Sequence, residues 1–318
     1  MRTSSLQDVL DGGKKGPVEV GFRPSGELHV GNLSSIASAA IIASERDEKL
    51  RVTCCDTDWA AHTHDLVRKE NKFVMKHFFG REDFDGCHGN LARHRLSKAL
   101  PYIEAISDAA GADLEVRMMS EVQKEKGFRD ALKEIMINME EFDSFWGGRF
   151  RARWKSPVSP VCECGFSSAK GASYAENSES FVFPCWNQEC GKGFHEVGLY
   201  EKAEIGVYYL VDPVRDTSCD DTGIHVFGGD YRKASKGQKT TKIEKVEKVT
   251  ELANGENPDY FMAPLIVSRS GKPLSKSKNT GIFLDQLSEP EEFSPDFVSK
   301  VREVIESGER AFVMDDMV

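Results

Sequence analysis

A histidine and an asparagine three residues apart are the first side chains in this sequence whose types and spacing indicate chemistry. They are His29 and Asn32 of the stretch PSGELHVGN (24–32, the His29 turn), which follows the alternating segment VEVGF and precedes a helix-like run of small residues. A turn at a helix N-terminus directs backbone N–H groups and the positive end of the helix dipole at one spot. Gly26 permits a sharp bend, Gly31 leaves room for a ligand against the backbone, and both polar side chains can donate to phosphate oxygens. The turn therefore indicates either a nucleotide-phosphate cradle or an ordinary strand–helix turn with a surface histidine, and its glycine spacing fits neither a P-loop nor a dinucleotide fingerprint.

A second candidate is the stretch SGKPLSKSKNTG (270–281, the Lys/Ser loop), which follows a predicted strand. It holds two glycines, three serines and three lysines. Such a mobile, cationic and hydroxyl-rich loop suits the phosphates of ATP and the charge that develops as pyrophosphate leaves. In isolation, however, a flexible, exposed loop is the favoured interpretation of this stretch.

Four cysteines form two pairs in a stretch that is poor in apolar residues. The pairs are Cys162 with Cys164 and Cys185 with Cys190, separated by one and four residues, and only the second separation lies within the usual tetrahedral spacing of two to four. Eight cysteines without a signal peptide favour thiols or metal over disulfides. We therefore predict a structural zinc site on these four cysteines. His195 could replace one of them but is expected to be exposed.

Predicted elements place these residues on an α/β fold with a parallel sheet, whose ligands bind at the carboxyl ends of the strands. Strands are predicted at 17–22, 49–55, 113–119, 205–212 and 260–268. Helices are predicted from Gly31 to about Glu45, at 68–79, at 92–110 with Gly111 as the C-cap, at 121–142, from about 231, and after an N-cap at Ser294 with Pro295 at the first helical position. Cys54, Cys55 and His225 are expected to be core residues.

Composition limits the possible partners. The 318 residues carry a net charge of −10, which argues against a general nucleic-acid binder. Two basic stretches, RFRARWK (149–155) and YRKASKGQKTTKIEKVEK (231–248), are most simply solvated faces, although cations interleaved with aromatics are compatible with RNA contact. No apolar run reaches the length of a membrane span and no signal peptide is evident, so we expect a cytoplasmic protein with no membrane partner.

The His29 turn and the Lys/Ser loop together resemble the paired signatures of class I aminoacyl-tRNA synthetases. HVGN (29–32) stands where that family has His-Ile-Gly-His, and PLSKS (273–277) stands where it has Lys-Met-Ser-Lys-Ser. The similarity is closest to the archaeal-type lysyl enzymes and spans residues 15–285. CCDTDW (54–59) resembles their Asp-rich motif, and VDPVRD…HVFGGDY resembles their Val-Asp-Trp-Pro stretch and Phe-Gly-Lys-Asp-His turn, with Gly229 and Tyr231 replacing the Lys and the His.

The resemblance implies a Rossmann-type catalytic domain that uses ATP with Mg²⁺ and forms an aminoacyl-adenylate. The implied catalytic residues are His29, Asn32, Ser275, Lys276 and Ser277. The implied ATP-binding residues are Pro24, Ser25, Gly26, Gly31, Gly228, Gly229, Asp230 and Lys276. An ε-ammonium substrate such as lysine needs a buried or half-buried acid. The candidates for binding the amino acid are Asp212 first, then Asp56 and Asp58, together with Tyr231.

The resemblance also implies how the chain is divided. We expect the first half of the catalytic domain with a helical connection at 1–155, the Cys-rich insert with its zinc module at 156–200, the second half of the domain at 201–286, and a short helical tail at 287–318. Lysyl enzymes of this kind continue into a helical anticodon-binding domain, whereas this chain stops about forty residues after the Lys/Ser loop. A tRNA would then be contacted only through its acceptor end or not at all. The alternatives are a relative that passes the activated amino acid to an acceptor other than tRNA, and a non-catalytic, zinc-stabilised module that binds RNA or protein.

Overall fold

The computed structural model describes sixteen segments of the chain. They are residues 5–24, 28–57, 67–69, 72–76, 91–145, 156–162, 166–167, 171–185, 190–191, 193–201, 205–207, 214–215, 222–232, 240–253, 255–274 and 282–314. The helices within them are α1 Leu6–Gly12, α2 Val30–Arg46, α3 Leu91–Ala110, α4 Met119–Val122, α5 Lys126–Ile137, α6 Met139–Phe145, α7 Lys242–Leu252 and α8 Pro290–Glu306. The strands are β1 Val18–Phe22, β2 Leu50–Cys54, β3 Val67–Lys69, β4 Lys72–Lys76, β5 Leu114–Met118, β6 Val158–Pro160, β7 Phe166–Ser167, β8 Ser173–Ala175, β9 Ser180–Pro184, β10 Phe194–Gly198, β11 Ile205–Val207, β12 Ile224–Phe227, β13 Asp259–Met262, β14 Leu265–Val267 and β15 Ala311–Val313.

A five-stranded parallel sheet forms the centre of the fold, with the strand order β13-β12-β1-β2-β5. The chain adds β2 and then β5 on one side of β1 and later adds β12 and β13 on the other side. The strand order therefore reverses between β1 and β12, and the loops that leave these two strands diverge around a crevice at their carboxyl ends. This sheet confirms the predicted α/β class, and it locates the His29 turn at the crevice.

Helix α2 explains the run of small residues after the His29 turn. Twelve of its residues are buried, so the helix is enclosed on nearly all sides. It packs on β1 and contacts both α3 and α8. The Ser34 hydroxyl donates to the Pro264 carbonyl at 2.9 Å, which joins α2 to the connection between β13 and β14. Alanine and serine allow this close approach on every side, because larger side chains would hold the neighbouring elements apart.

The predicted helix at 68–79 is wrong, because the described residues of that range belong to two strands. Strand β4 pairs antiparallel with β3 and with β7, which is about ninety residues further along the chain. A partner so distant in sequence overrides a local helical pattern. The single helix predicted at 121–142 is also wrong, since the chain forms α4, α5 and α6 there. It breaks after α4, where the Gln123 side chain accepts from Ile205 N–H at 2.9 Å.

The second half of the chain requires further corrections. The helix expected from about 231 begins at Lys242, where Thr241 and Glu244 form a capping box. Of the strand expected at 205–212, the described part is β11, which pairs antiparallel with β6 outside the central sheet. The strand expected at 260–268 is two strands, because Pro264 interrupts it.

The last helix begins earlier than predicted. Pro290 occupies its first position, so Ser294 and Pro295 lie inside the helix rather than at its start. The earlier proline extends the apolar stripe by one turn to Phe293, which is buried. The predicted stripe itself is confirmed by burial of Phe297, Val301, Val304 and Ile305. After α8, strand β15 pairs parallel with β14. Within the described part of the chain, no helix combines the length and apolarity that crossing a bilayer requires.

Candidate active site and metal centre

His29 is the N-cap of α2, and its ring turns back onto the first turn of its own helix. The ring Nδ1 accepts from Gly31 N–H at 3.0 Å, and the Asn32 Oδ1 accepts from His29 N–H at 3.4 Å, which completes a capping box. Because Nδ1 accepts this hydrogen bond, the neutral ring carries its proton on Nε2. Both side chains are half-exposed. The cap itself uses Nδ1 of His29 and Oδ1 of Asn32, whereas the imidazole N–H and the side-chain amide N–H are the kind of donors that bind a phosphate.

Gly31 is needed for this arrangement. A Cβ atom at position 31 would lie 2.8 Å from Cε1 and 2.9 Å from Nδ1 of the His29 ring. Distances under 3.0 Å are not tolerated, so any larger residue would displace the ring. The sequence suggests that this glycine makes room for a ligand. In the structure it makes room for the histidine.

The predicted adenosine-binding turn at Gly228, Gly229 and Asp230 follows β12 and lies beside α2. A Cβ at Gly228 would be 3.7 Å from the Ser35 hydroxyl, in the first turns of that helix. A Cβ at Gly229 would be 2.8 Å from the Ala263 carbonyl, so this glycine allows the turn to pack against the end of β13. The Asp230 carboxylate is exposed and forms an ion pair with Lys242. The structure thus brings this turn and the His29 turn to opposite sides of the same crevice.

The predicted amino-acid-binding residues are only partly described. Asp56 follows β2 and is buried, and its Oδ1 accepts from Ser120 N–H at 2.7 Å. Burial raises the pKa of Asp56, partly offset by the Ser120 hydrogen bonds and by the charge of Arg93. Tyr231 stacks on Phe227 at 4.5 Å between ring centroids, with the Lys242 Nζ 4.9 Å from the Tyr231 ring centroid. Asp58 and Asp212 lie outside the described residues.

A charge cluster of the buried Glu19 and Arg215 and the partly buried Arg117 lies beside the crevice, and sequence reasoning did not find it. Glu19, in the middle of β1, has no solvent exposure, and its two oxygens each accept from a different arginine at 3.0 Å. Above it, Gly21 is exposed, and a Cβ there would lie 3.3 Å from the Arg215 Nη2 and 3.5 Å from the Cys55 Sγ. One signal was available: a glutamate in an otherwise apolar strand needs a partner.

The start of α3 also reaches the crevice. Arg95 Nη1 donates to the Pro24 carbonyl at 2.5 Å, which holds the beginning of the His29 turn against α3. The sequence did not single out the cationic residues of this helix, because they follow an ordinary amphipathic pattern. Pro24 itself is buried, while Ser25 and Gly26 lie outside the described residues.

The two flanks of the Lys/Ser loop are described, whereas Ser275, Lys276 and Ser277 are not. On the upstream side, Leu274 N–H donates to the Ile266 carbonyl at 2.9 Å. On the downstream side, the Ile282 carbonyl accepts from Val30 N–H at 3.0 Å, and Phe283 forms an antiparallel bridge with His29. The downstream flank of the loop is therefore attached to the His29 turn.

Three cysteines and one histidine form a candidate metal centre in the Cys-rich insert. Cys162, Cys185, Cys190 and His195 place their ligand atoms within 4.8 Å of one another. The Cys162 and Cys190 Sγ atoms are 3.6 Å apart, and His195 Nε2 is 3.2 Å from the Cys162 Sγ. In a tetrahedral site with Zn–S bonds of about 2.3 Å, two sulfur atoms lie about 3.8 Å apart. The donor set and its spacing fit zinc.

The expectation that His195 is exposed is wrong. The residue is half-buried, and its ring stacks on Phe183 at 5.3 Å between centroids. Strand β10 carries His195 opposite Phe183 of β9, and this pairing turns the ring toward the cysteines. Cys164, the fourth predicted ligand, lies outside the described residues. Cys54 and Cys55 are buried at the end of β2, and His225 is buried in β12, as predicted.

The described part of the basic stretch 231–248 is largely paired within the protein. Lys242 pairs with Asp230, Lys248 pairs with Glu251, and Lys245 is buried. These contacts use charges that a nucleic acid would otherwise contact. The stretch 149–155 lies outside the described residues.

Comparison with known proteins identifies the family. The family described as "tRNA synthetases class I (K)" matches residues 6–294, which is most of the chain. The chain therefore belongs to this class I synthetase family, and the resemblance drawn from its two signature stretches is confirmed.

Curated relatives are all partial matches. The chain is 28% identical to the lysine–tRNA ligase of Archaeoglobus fulgidus over 182 residues, which covers 54% of this chain and 36% of that protein. It is 25% identical to the lysine–tRNA ligase of Methanocaldococcus jannaschii over 279 residues, which covers 82% of this chain and 49% of that protein. The chain thus spans about half or less of the length of these relatives.

Solved structures of two other tRNA synthetases match the chain at low identity. A tyrosyl-tRNA synthetase complexed with L-tyrosine from Archaeoglobus fulgidus superposes with a TM-score of 0.44 at 14% identity, covering 87% of this chain and 64% of that chain. A tryptophanyl-tRNA synthetase from Campylobacter jejuni gives a TM-score of 0.40 at 15% identity, covering 93% of this chain and 80% of that chain.

Proposed function

We propose that this chain activates an amino acid with ATP, forms an aminoacyl-adenylate and transfers the amino acid to tRNA. Lysine is the proposed amino acid because the curated relatives are named lysine–tRNA ligases. The observation that carries the proposal is the His29 cap at the N-terminus of α2. It presents N–H donors at the point where the order of a parallel sheet reverses, in a chain of the class I synthetase family.

The chemistry needs positioning more than acid–base catalysis. The carboxylate of the bound amino acid is already ionised, so one of its oxygens can attack the α-phosphorus while the bond to pyrophosphate breaks. The His29 Nε2 and the Asn32 side-chain amide would donate to phosphate oxygens, where negative charge is concentrated. Mg²⁺ would arrive with ATP and neutralise part of its charge.

The remaining roles follow the family signatures. Ser275, Lys276 and Ser277 would contact the phosphates from the Lys/Ser loop. The Gly228 and Gly229 backbone with Asp230 would hold adenosine, and Pro24, Ser25, Gly26 and Gly31 would shape the phosphate side. Asp212, Asp56, Asp58 and Tyr231 are proposed around the amino acid.

Pyrophosphate exchange tests the proposal. The purified chain with Mg²⁺, zinc and labelled pyrophosphate is expected to exchange label into ATP only when one amino acid of a complete panel is present. His29→Asn is the matched variant, because asparagine can still cap α2 but lacks the imidazole, so it should fold and lose most of the exchange. Absence of exchange with every amino acid would refute the enzyme, and exchange with another amino acid would refute only lysine. Charging of total tRNA, compared with transfer to free amines, then tests the acceptor.

We also propose that Cys162, Cys185, Cys190 and His195 hold a structural zinc ion. The supporting observation is the small core that includes the cysteines, where the described residues that are buried are Cys162, Phe183 and Val197. Among the described residues, so small a cluster stabilises this end of the insert weakly without a metal. The purified protein should contain bound zinc, and cobalt substitution should give the absorption of a cysteine-ligated tetrahedral ion. His195→Ala should lower the metal content, whereas Cys54→Ala, in the central sheet, should not. Full metal retention by His195→Ala would contradict this ligand set.

A further inference from the structure

Phe283 contacts His29 from a part of the chain that no signature motif covers. The two rings meet edge to face, with centroids 6.4 Å apart and planes at 89°. Their backbones form an antiparallel bridge, reinforced by the hydrogen bond from Val30 N–H to the Ile282 carbonyl at 3.0 Å. The His29 ring is therefore held by the Gly31 N–H at Nδ1 and by an aromatic edge contact with Phe283.

The position of Phe283 is fixed by its own neighbours. Its N–H donates to the Gln286 side-chain oxygen at 2.9 Å, which closes a short helical turn over Leu284–Gln286. Beyond that turn, the buried Tyr102 hydroxyl of α3 lies 3.2 Å from the Leu284 carbonyl and 3.0 Å from the Ser288 carbonyl. Because α3 also packs on α2, the same framework supports the helix that carries His29 and the segment that carries Phe283.

These contacts restrict the imidazole in complementary ways. The hydrogen bond at Nδ1 selects the tautomer that carries a proton on Nε2, and a ring edge against the imidazole opposes rotation away from that hydrogen bond. An N–H group that stabilises developing charge must be oriented before the reaction, since reorientation during the reaction costs activation free energy.

We propose that Phe283 is a positioning residue that holds the His29 imidazole in the orientation needed for adenylate formation. It acts through His29 and does not touch the substrate. The inference rests on the proposed function, which supplies the role of His29, but the orientation of the ring can be measured without any activity.

The first test replaces the aromatic ring. Phe283→Leu is expected to lower kcat for pyrophosphate exchange by about threefold to tenfold, the range of one aromatic pair, with KM for the amino acid unchanged. Phe283→Tyr keeps the ring and should stay within about twofold of the natural protein. Phe145→Leu is the matched control, because Phe145 is another half-buried phenylalanine, located in α6 and not in the segments that hold the His29 ring. It should leave kcat unchanged.

The second test asks whether the effect passes through His29. In a His29→Asn background, Phe283→Leu should cause no further loss, because residues acting on one group are not additive. NMR of protein labelled with ¹⁵N in histidine should show the His29 ring with its proton on Nε2, and Phe283→Leu should broaden or shift that signal while the His225 signal stays in place. An equal loss of kcat in the His29→Asn background, or an unchanged His29 signal in Phe283→Leu, would overturn the proposal. If the natural protein shows no exchange at all, the proposed function fails, and the NMR result alone decides whether Phe283 orients the ring.

Discussion

The two faces of the central sheet are built from the same strands but bury opposite kinds of side chain. On one face, Val18, Val20 and Phe22 of β1 and their neighbours pack against α2, α3 and α8 in a core of apolar residues. On the other face, Glu19 of β1 is flanked by polar residues of β2 and β5 on one side and by His225 of β12 on the other. The apolar core residues of this face on β12 and β13 are Phe227, Tyr260 and Met262. The polar residues of β2 and β5 on that face are Arg51, Thr53, Glu115 and Arg117.

The two faces therefore differ in how they respond to substitution: one face stabilises the fold by apolar packing, and the other holds charged groups beside the crevice. Apolar packing is distributed over many contacts, so loss of one methyl group costs little. Buried charges depend on particular partners, so loss of one partner leaves the others without compensation. The polar face also borders the exposed Gly21 at the crevice, where a polar substrate would enter. The substitutions that follow test this division, from the largest expected effect to the smallest.

Glu19→Gln should be the most damaging. It removes the charge of the carboxylate that the buried Arg215 and the partly buried Arg117 share, and breaking a buried ion pair costs about 3–5 kcal/mol in free energy of unfolding. Glu115→Gln is the matched control on the same face, since the Glu115 ion pair with Arg51 at 3.1 Å is partly exposed. Glu115→Gln should lower the free energy of unfolding by less than about 1 kcal/mol. Urea unfolding measures the stability of both variants. Similar losses of stability in Glu19→Gln and Glu115→Gln would show that burial does not determine the cost of losing a carboxylate on this face.

Gly31→Ala should lower the activity and leave the stability of the fold nearly unchanged. An added Cβ would displace the His29 ring, and misplacement of a positioning group reduces the rate by about tenfold to 100-fold. Alanine is also a better helix former than glycine, which offsets part of the lost cap. The rate of pyrophosphate exchange should therefore fall while the melting temperature stays nearly unchanged. Equal exchange by the variant and the natural protein would show that the site tolerates a displaced ring.

Ile41→Val tests the apolar face. Ile41 of α2 is fully buried, and loss of its one methylene should cost about 0.5–1.5 kcal/mol with unchanged pyrophosphate exchange. Ile137→Val, at a residue of α5 that is 42% exposed, should stay within about 0.5 kcal/mol of the natural protein. A loss of exchange in Ile41→Val without a loss of stability would break the proposed division between the faces.

Asp56→Asn should have the smallest effect, and its sign depends on pH. Burial raises the pKa of Asp56, so the folded protein binds this proton more tightly than the unfolded chain does. The stability that Asp56 contributes is present below its unfolded pKa of about 3.9 and is lost as pH rises through the higher folded pKa. Asparagine keeps the acceptor for Ser120 N–H, so at pH 7 the variant should be as stable as the natural protein or up to about 1 kcal/mol more stable.

Thermal melting at two pH values checks this sign. The stability difference between Asp56→Asn and the natural protein should shrink at pH 3. Asp296→Asn, at an exposed position of α8, should change the melting temperature little at either pH. A variant that is much less stable than the natural protein at pH 7 would mean that the ionised carboxylate stabilises the fold.

Sequence reasoning was most successful where function and local structure share one pattern. The strand, the turn with His29 and the small-residue helix were predicted together, because each of them depends on residues that are adjacent in the sequence. The same reasoning failed at residues 68–79, where pairing with β7 decides the structure, and at His195, whose ring is turned toward the cysteines by β9. Histidine is also an unusual N-cap, so the sequence gives no sign that the His29 ring folds back onto Gly31.

The residues of this chain, taken in order, determined its class, its crevice-lining turn and its signature motifs, because these depend on contacts a few positions apart. Only the tertiary structure decided which distant groups meet. Glu19 accepts from Arg215, which is 196 residues away, and Phe283 lies against His29 across most of the chain. Such contacts depend on how the sheet is ordered and on what is buried, and neither property is carried by any local stretch of residues.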